Sequence, residues 1–214
     1  MKYLIANWKA HKSLSDVESW LQVFAREYQA KDDVMVGIAA SFPHLSYVSS
    51  QIKDLKNCVV VAQSVSSEPQ GSFTGEVSAQ ALQGIASFCI VGHSERRKMG
   101  ETTEQVMAQI DHLKEKNITP VLCIRGVEDF PKGYVGIVAY EQPENIGTGH
   151  GTAVDQVIEV YRHLSLSSDS TFLYGASVDE NNCQDYLIHP EIAGFIVGTA
   201  SIDPEQFIKI AANI

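Results

Sequence analysis

Three stretches of this chain hold side chains that could do chemistry. Phe88-Cys89-Ile90-Val91-Gly92-His93-Ser94-Glu95-Arg96-Arg97 passes from an apolar, strand-like run through a glycine to an imidazole, then to a polar segment able to open a helix. An imidazole at such a junction lies beside a helix N-terminus, whose partial positive charge disfavours protonation, so the ring can stay neutral and donate a hydrogen bond. Taken alone, His93 reads equally well as a turn residue satisfied by neighbouring backbone. Glu141 stands where the apolar run ending in Ala139-Tyr140 gives way to Gln142-Pro143-Glu144-Asn145-Ile146-Gly147-Thr148-Gly149. A carboxylate there is ordinarily a solvated loop charge. Followed by a segment that opens on Pro and closes on Gly, it also fits a general base that a closing loop shields from water. Lys9, in Asn7-Trp8-Lys9, is by itself no more than a loop cation.

The elements that must position these groups alternate along the whole chain. Strand-like runs cover residues 3–7, 34–39, 58–62, 88–91, 119–124, 135–140, 171–174 and 192–197. Most are continuously apolar, as parallel strands buried on both faces require. Helical patterns cover 15–29, 101–116, 153–163 and 204–212, with Ser15 before Glu18 reading as a capping box and Pro204 suiting a first helical position. This alternation predicts an α/β fold, a (β/α)8 barrel, as a single domain over residues 1–214. A doubly wound sheet is the structural alternative, but no G-x-G-x-x-G turn follows the first strand. In a barrel, functional groups gather at the carboxyl ends of the strands, where His93, Glu141 and Lys9 all fall. Small residues after the last two strands, in Gly175-Ala176-Ser177 and Gly198-Thr199-Ala200-Ser201, would let backbone N–H groups approach a phosphate.

One connection is short. Between Ile124 and Val135 the chain reads Arg-Gly-Val-Glu-Asp-Phe-Pro-Lys-Gly-Tyr. At about 3.3 Å per residue, an extended segment of roughly ten residues returns from top to bottom of a barrel without a helix. The helix between strands 5 and 6 is therefore expected to be missing or reduced, with Phe130, Pro131 and Tyr134, or a second subunit, covering the exposed wall.

Composition narrows the partners. The 214 residues are 44% hydrophobic and 20% charged, ordinary for a globular protein. A formal net charge of −10 argues against nucleic acid or an anionic membrane as the main partner. A phosphorylated substrate would have to be drawn by local features such as Lys9 and backbone N–H groups. Cys58, Cys89, Cys123 and Cys183 lie far apart without a C-x-x-C pair, so reduced thiols are expected rather than a metal site or disulfide framework. No basic-then-apolar leader pattern opens the sequence, which suggests a cytoplasmic protein.

The motifs together resemble the triosephosphate isomerase family, in family order from Asn7 to Ser201. Asn7-Trp8-Lys9 resembles its N-x-K element, the His93 string its electrophilic-histidine motif, and Glu141 with Ile146-Gly147-Thr148-Gly149 its catalytic glutamate and lid. Tyr174-Gly175-Ala176-Ser177-Val178 resembles Y-G-G-S-V, and Gly194-Phe195-Ile196-Val197-Gly198-Thr199-Ala200-Ser201 resembles G-F-x-V-G-G-A-S. The resemblance implies interconversion of dihydroxyacetone phosphate and glyceraldehyde 3-phosphate through an enediolate, without metal or organic cofactor. It assigns Glu141 as base, neutral His93 with Lys9 and Asn7 as stabilisers, and Glu95 as the group positioning Lys9. Gly147, Ser177, Gly198 and Thr199 would form the phosphate cradle, and Tyr174 would help hold the closed lid. The stretch from Gln63 to Glu76 resembles the loop through which relatives form homodimers.

Departures from the family pattern set further expectations. Gln142-Pro143-Glu144 after the base lacks one rigid hinge residue, which should loosen the first hinge of the lid. Ala176 and Thr199 each replace a family glycine, and a positive φ at either would cost about 1 kcal/mol. Cys123-Ile124-Arg125-Gly126 stands where relatives have C-I-G-E, so one carboxylate is lost. An isomerase of a related phosphorylated aldose or ketose, and a non-catalytic phosphate-binding barrel, remain as alternatives.

Overall fold

The computed structural model describes residues 1–145, 147–149 and 151–214. The strands are β1 (Lys2–Asn7), β2 (Val34–Ala40), β3 (Cys58–Ala62), β4 (Phe88–Val91), β5 (Thr119–Ile124), β6 (Ile137–Tyr140), β7 (Thr171–Tyr174) and β8 (Gly194–Val197). They pair in parallel in sequence order and close into a barrel, with Tyr3 beside Gly194 where β1 meets β8. Around them lie α1 (Leu14–Glu27), α2 (Leu45–Ile52), α3 (Ala79–Leu82), α4 (Ser94–Lys98), α5 (Thr103–Glu115), α6 (Val154–Leu164), α7 (Cys183–Leu187) and α8 (Pro204–Asn213). Among the described residues, no helix is long and apolar enough to cross a membrane.

Strand alternation divides the apolar residues into two layers. Ile5, Ala39, Val61, Ile90, Val121, Cys123, Ile137, Ala139, Leu173 and Ile196 fill the barrel interior. Their neighbours in sequence, such as Leu4, Ile38, Leu122 and Phe172, face outward into a larger core shared with the helices. Trp20 and Phe24 of α1 stack there, with ring centroids 4.8 Å apart, and both meet Phe207 of α8.

The sequence reading missed the short helices α2, α3 and α7, which carry too few turns for a periodic signal. The start of α1 also differs. Its cap is Ser13, whose hydroxyl accepts the Asp16 N–H while the Asp16 carboxylate accepts the Ser13 N–H at 2.9 Å. Ser15 and Glu18 lie inside the helix, and the Ser15 carbonyl accepts a bond from the Ser19 hydroxyl instead.

No α-helix joins β5 to β6. A single 3-10 turn, Val127–Asp129, takes its place. Tyr134 is buried against the wall with its hydroxyl 3.4 Å from the Pro120 and Ile137 carbonyls, and Phe130 packs edge-on against it. Lys114 lies over the Tyr134 ring at 5.5 Å, so the ring is covered from α5 as well. The chain itself thus covers this strip of wall.

Candidate active site

The same alternation that fills the barrel places the site. Continuing each inward-facing row by two residues past the last interior layer leads to Asn7, Ser41, Gln63, Gly92, Arg125, Glu141, Gly175 and Gly198. These positions ring the carboxyl mouth of the barrel. The ladder runs one bond beyond the strands, with Trp8 N–H donating to Ala39, Glu141 N–H to Ile124 and Gly175 N–H to Tyr140. Glu141 is therefore fixed by the sheet at its backbone, and only 4% of its surface is exposed.

Gly175 leaves room for that carboxylate. A Cβ there would lie 3.2 Å from Glu141 Cγ, 3.3 Å from its Oε1 and 3.1 Å from the Ile196 carbonyl. Across the mouth, β4 ends in Gly92, and His93 caps α4, its Nδ1 accepting the Glu95 N–H at 3.2 Å. Nδ1 is thereby committed as an acceptor, which leaves Nε2 to carry the proton of the neutral ring. Nε2 points at Glu141 Oε2, 3.1 Å away but off the line of a hydrogen bond.

Burial lowers the His93 pKa, yet the Glu141 carboxylate beside Nε2 and Glu95 further off raise it, and the balance lies above the ordinary histidine value. The sequence expectation rested neutrality on a helix dipole. The following helix has only 5 residues, and it is the single Glu95 amide, rather than a long dipole, that favours the neutral ring.

Lys9 adopts the left-handed conformation at φ 50°, which costs about 1 kcal/mol for a residue with a Cβ. Neighbouring side chains hold it there. Asn7 Oδ1 accepts the Lys9 N–H at 3.2 Å, while the Lys9 carbonyl accepts from Gln63 Nε2 at 2.9 Å and from the Ser41 hydroxyl at 3.1 Å. Lys9 Nζ meets Glu95 Oε1 at 2.7 Å. The pair is partly exposed, so it adds little to stability and serves mainly to aim the amine. Burial raises the Glu95 carboxyl, but Lys9 outweighs it and holds the group below the usual carboxylate range. Gln63 and Ser41 were not picked out as supports of Lys9 from sequence. The inward parity of β2 and β3 was the signal that could have found them.

The phosphate-cradle candidates also converge. Gly147, Ser177, Gly198 and Thr199 line one small cavity with Asn7, Lys9 and Glu141. The strain expected at Ala176 and Thr199 is absent, since neither has positive φ. The left-handed residue is Ser177, at φ 52°, and Thr199 begins a 3-10 turn. No gain from Ala176→Gly follows, because the backbone there already suits a Cβ. The segment expected to form a lid is hydrogen-bonded at both of its flanks. Ser177 Oγ donates to the Asn145 carbonyl at 2.6 Å, and the Tyr174 hydroxyl accepts the Thr152 N–H at 2.7 Å while donating to the Ala176 carbonyl at 2.9 Å. Ile146, within the expected lid motif, lies outside the described residues.

Asp129, buried in the 3-10 turn, accepts from Arg125 N at 2.9 Å, Nε at 2.8 Å and Nη2 at 2.9 Å. Among the described residues, no group of three or more His, Cys, Asp or Glu side chains could hold a metal ion.

Comparison with known proteins places the whole chain in one family. The family described as "Triosephosphate isomerase" matches residues 2–214. A triosephosphate isomerase of Mesomycoplasma hyopneumoniae strain 7448 is 33% identical over 245 aligned residues, covering 99% of each chain. That of Synechocystis sp. is 33% identical over 236, covering 98% of this chain and 97% of its own. That of Aquifex aeolicus is 30% identical over 244, covering 98% of each. On the full span of these matches, the chain belongs to the triosephosphate isomerase family.

Proposed function

We propose that this chain interconverts dihydroxyacetone phosphate and D-glyceraldehyde 3-phosphate, the isomerisation its relatives are named for and a step of glycolysis and gluconeogenesis. The observation that carries the reading is the facing pair at the barrel mouth, Glu141 Oε2 and His93 Nε2, both buried and 3.1 Å apart without an aligned bond. A substrate carbon entering between them meets a base on one side and a donor on the other.

Glu141 removes the carbon-bound proton and returns it to the adjacent carbon. The enediolate oxygens receive the His93 Nε2–H and the Lys9 ammonium, with Asn7 holding the Lys9 backbone and Glu95 its amine. Substrate separates Glu141 from His93, which removes the main pull toward imidazolium and leaves a neutral donor. Lys9 and the backbone of Gly147, Ser177, Gly198 and Thr199 hold the phosphate, which answers the repulsion of the net negative chain. No step calls for a metal or organic cofactor.

The test is a coupled assay with glyceraldehyde 3-phosphate. Turnover supports the reading, and absence of turnover with phosphate still bound favours a binding barrel. Competition kinetics with other phosphorylated aldoses and ketoses separates a related substrate.

The lid gives a second expectation. Tyr174→Phe keeps the ring stacked on Tyr186 but leaves the buried Thr152 N–H and Ala176 carbonyl without their partner. An unmade buried hydrogen bond costs about 1–3 kcal/mol, so kcat/KM is expected to fall roughly tenfold. Native kcat/KM in the variant would show that the hydroxyl does not hold the lid.

We further propose that residues 1–214 act as one domain, in the cytoplasm, as a homodimer through the loop from Gln63 to Glu76. Residues 69–76 are exposed, and Phe73 offers 41% of its surface. A groove lined by Lys9, Phe42, Gln63, Glu95 and Met99 adjoins the site and could receive a partner's loop. Sedimentation should give twice the chain mass, reduced to one by Phe73→Asp; a native monomer at micromolar concentration would remove the dimer from the account.

A further inference from the structure

We propose that Asp129, supplied by the shortened β5–β6 connection, is a positioning residue for His93, acting through Arg97. Both side chains are almost fully buried, with 4% of the Arg97 side chain and 5% of the Asp129 side chain exposed. Asp129 Oδ2 lies 3.7 Å from Arg97 Nε, and that same Nε donates to the Gly92 carbonyl at 2.9 Å. Gly92 is the residue that turns the chain from β4 into His93. Its φ is +67°, and a Cβ there would lie 2.9 Å from Arg97 Nη2 and 3.1 Å from the Cys123 carbonyl. The guanidinium therefore occupies the space beside the turn and grips its carbonyl. The Arg97 backbone is also tied to the histidine through α4, its N–H donating to the His93 carbonyl at 3.0 Å.

A buried guanidinium stays in such a place only with a counter-charge. Among the described residues, Asp129 is the carboxylate within ion-pair distance of Arg97. Three bonds from Arg125 fix Asp129 in turn, and the depressed Asp129 carboxyl, which burial raises but the Arg125 bonds and both guanidinium charges outweigh, keeps it ionised. The connection that lost its helix thus keeps one task that the barrel wall alone would not require. Its 3-10 turn delivers a charge to the guanidinium that grips the Gly92 carbonyl. A displacement of about 1 Å at a catalytic group can cost on the order of a hundredfold in rate, so a partial shift of the Gly92 turn should be visible in kcat.

This inference rests on the isomerase reading for its kinetic readout, and NMR of the His93 ring nitrogens reads it independently of turnover. Asp129→Asn is expected to lower kcat about tenfold with KM nearly unchanged, because the phosphate cradle lies on the opposite side of the mouth. The His93 Nδ1 signal should move as the Glu95 N–H bond loosens. Asp129→Glu should recover most of the lost kcat. Native kcat in a folded Asp129→Asn protein overturns the proposal, as does a loss that Glu does not restore while the His93 signals stay native. If Asp129→Asn does not fold, Asp129→Glu decides. Its longer arm should displace the guanidinium, lower kcat about two- to threefold and shift His93, and native values of both overturn the proposal. A native protein without turnover defeats the isomerase reading alone, since the His93 shift still reports on Asp129.

Discussion

Glu141→Gln is expected to reduce kcat by about three orders of magnitude with KM little changed, the loss typical of removing a positioned general base. The amide fills the same space beside Gly175, and the backbone bond from Glu141 N–H to the Ile124 carbonyl does not involve the side chain. Shape and fold therefore persist while the proton acceptor is lost. The variant has a second readout in His93. With the carboxylate gone, burial and Lys9 lower the imidazolium and only Glu95 still raises it, so the His93 titration should move downward. Ring-nitrogen NMR of the free protein over pH measures this directly. An unchanged or raised titration would show that Glu141 does not set the charge of His93, and an unchanged kcat would remove Glu141 as the base.

Lys9→Met is expected to lower kcat by about two to three orders of magnitude and to raise KM as well. The amine lies over the cradle, with its Nζ 3.9 Å from where a Gly198 Cβ would stand, and it is aimed by Glu95 at 2.7 Å. One cation there meets both the phosphate and the developing enediolate charge, which is why both kinetic constants should move. Met keeps the length and apolar stem, and the left-handed turn is held by Asn7, Gln63 and Ser41 through backbone atoms. Stability should change by less than about 1 kcal/mol, as the partly exposed pair with Glu95 adds little. A shift in KM alone would confine Lys9 to binding.

Asp129 and Gln63 show where local reading ends. Asp129 sits in a polar segment whose evident feature was its shortness, and Gln63 opens a loop read only as a route to a second subunit. Their partners are Arg97 and the Lys9 carbonyl, 32 and 54 residues away by subtraction of their numbers. Ala176 and Thr199 erred in the opposite sense. A glycine in relatives suggested positive φ, but neither residue has it: beside Ala176 the backbone places that conformation one residue later, at Ser177, and Thr199 opens a 3-10 turn.

The sequence by itself determined the barrel and the identity of its chemical groups. Continuous apolar strands, alternating with helices, admit few closed architectures, and Lys9, His93, Glu141 and Gly198 fall one or two positions past the ends of β1, β4, β6 and β8. Only the tertiary structure decided what those groups do to one another. The approach of His93 to Glu141, the lift this gives the imidazolium, the support of the Lys9 turn and the tie from Asp129 to Gly92 join different strands. Closing the barrel sets these distances, and no local spacing encodes them.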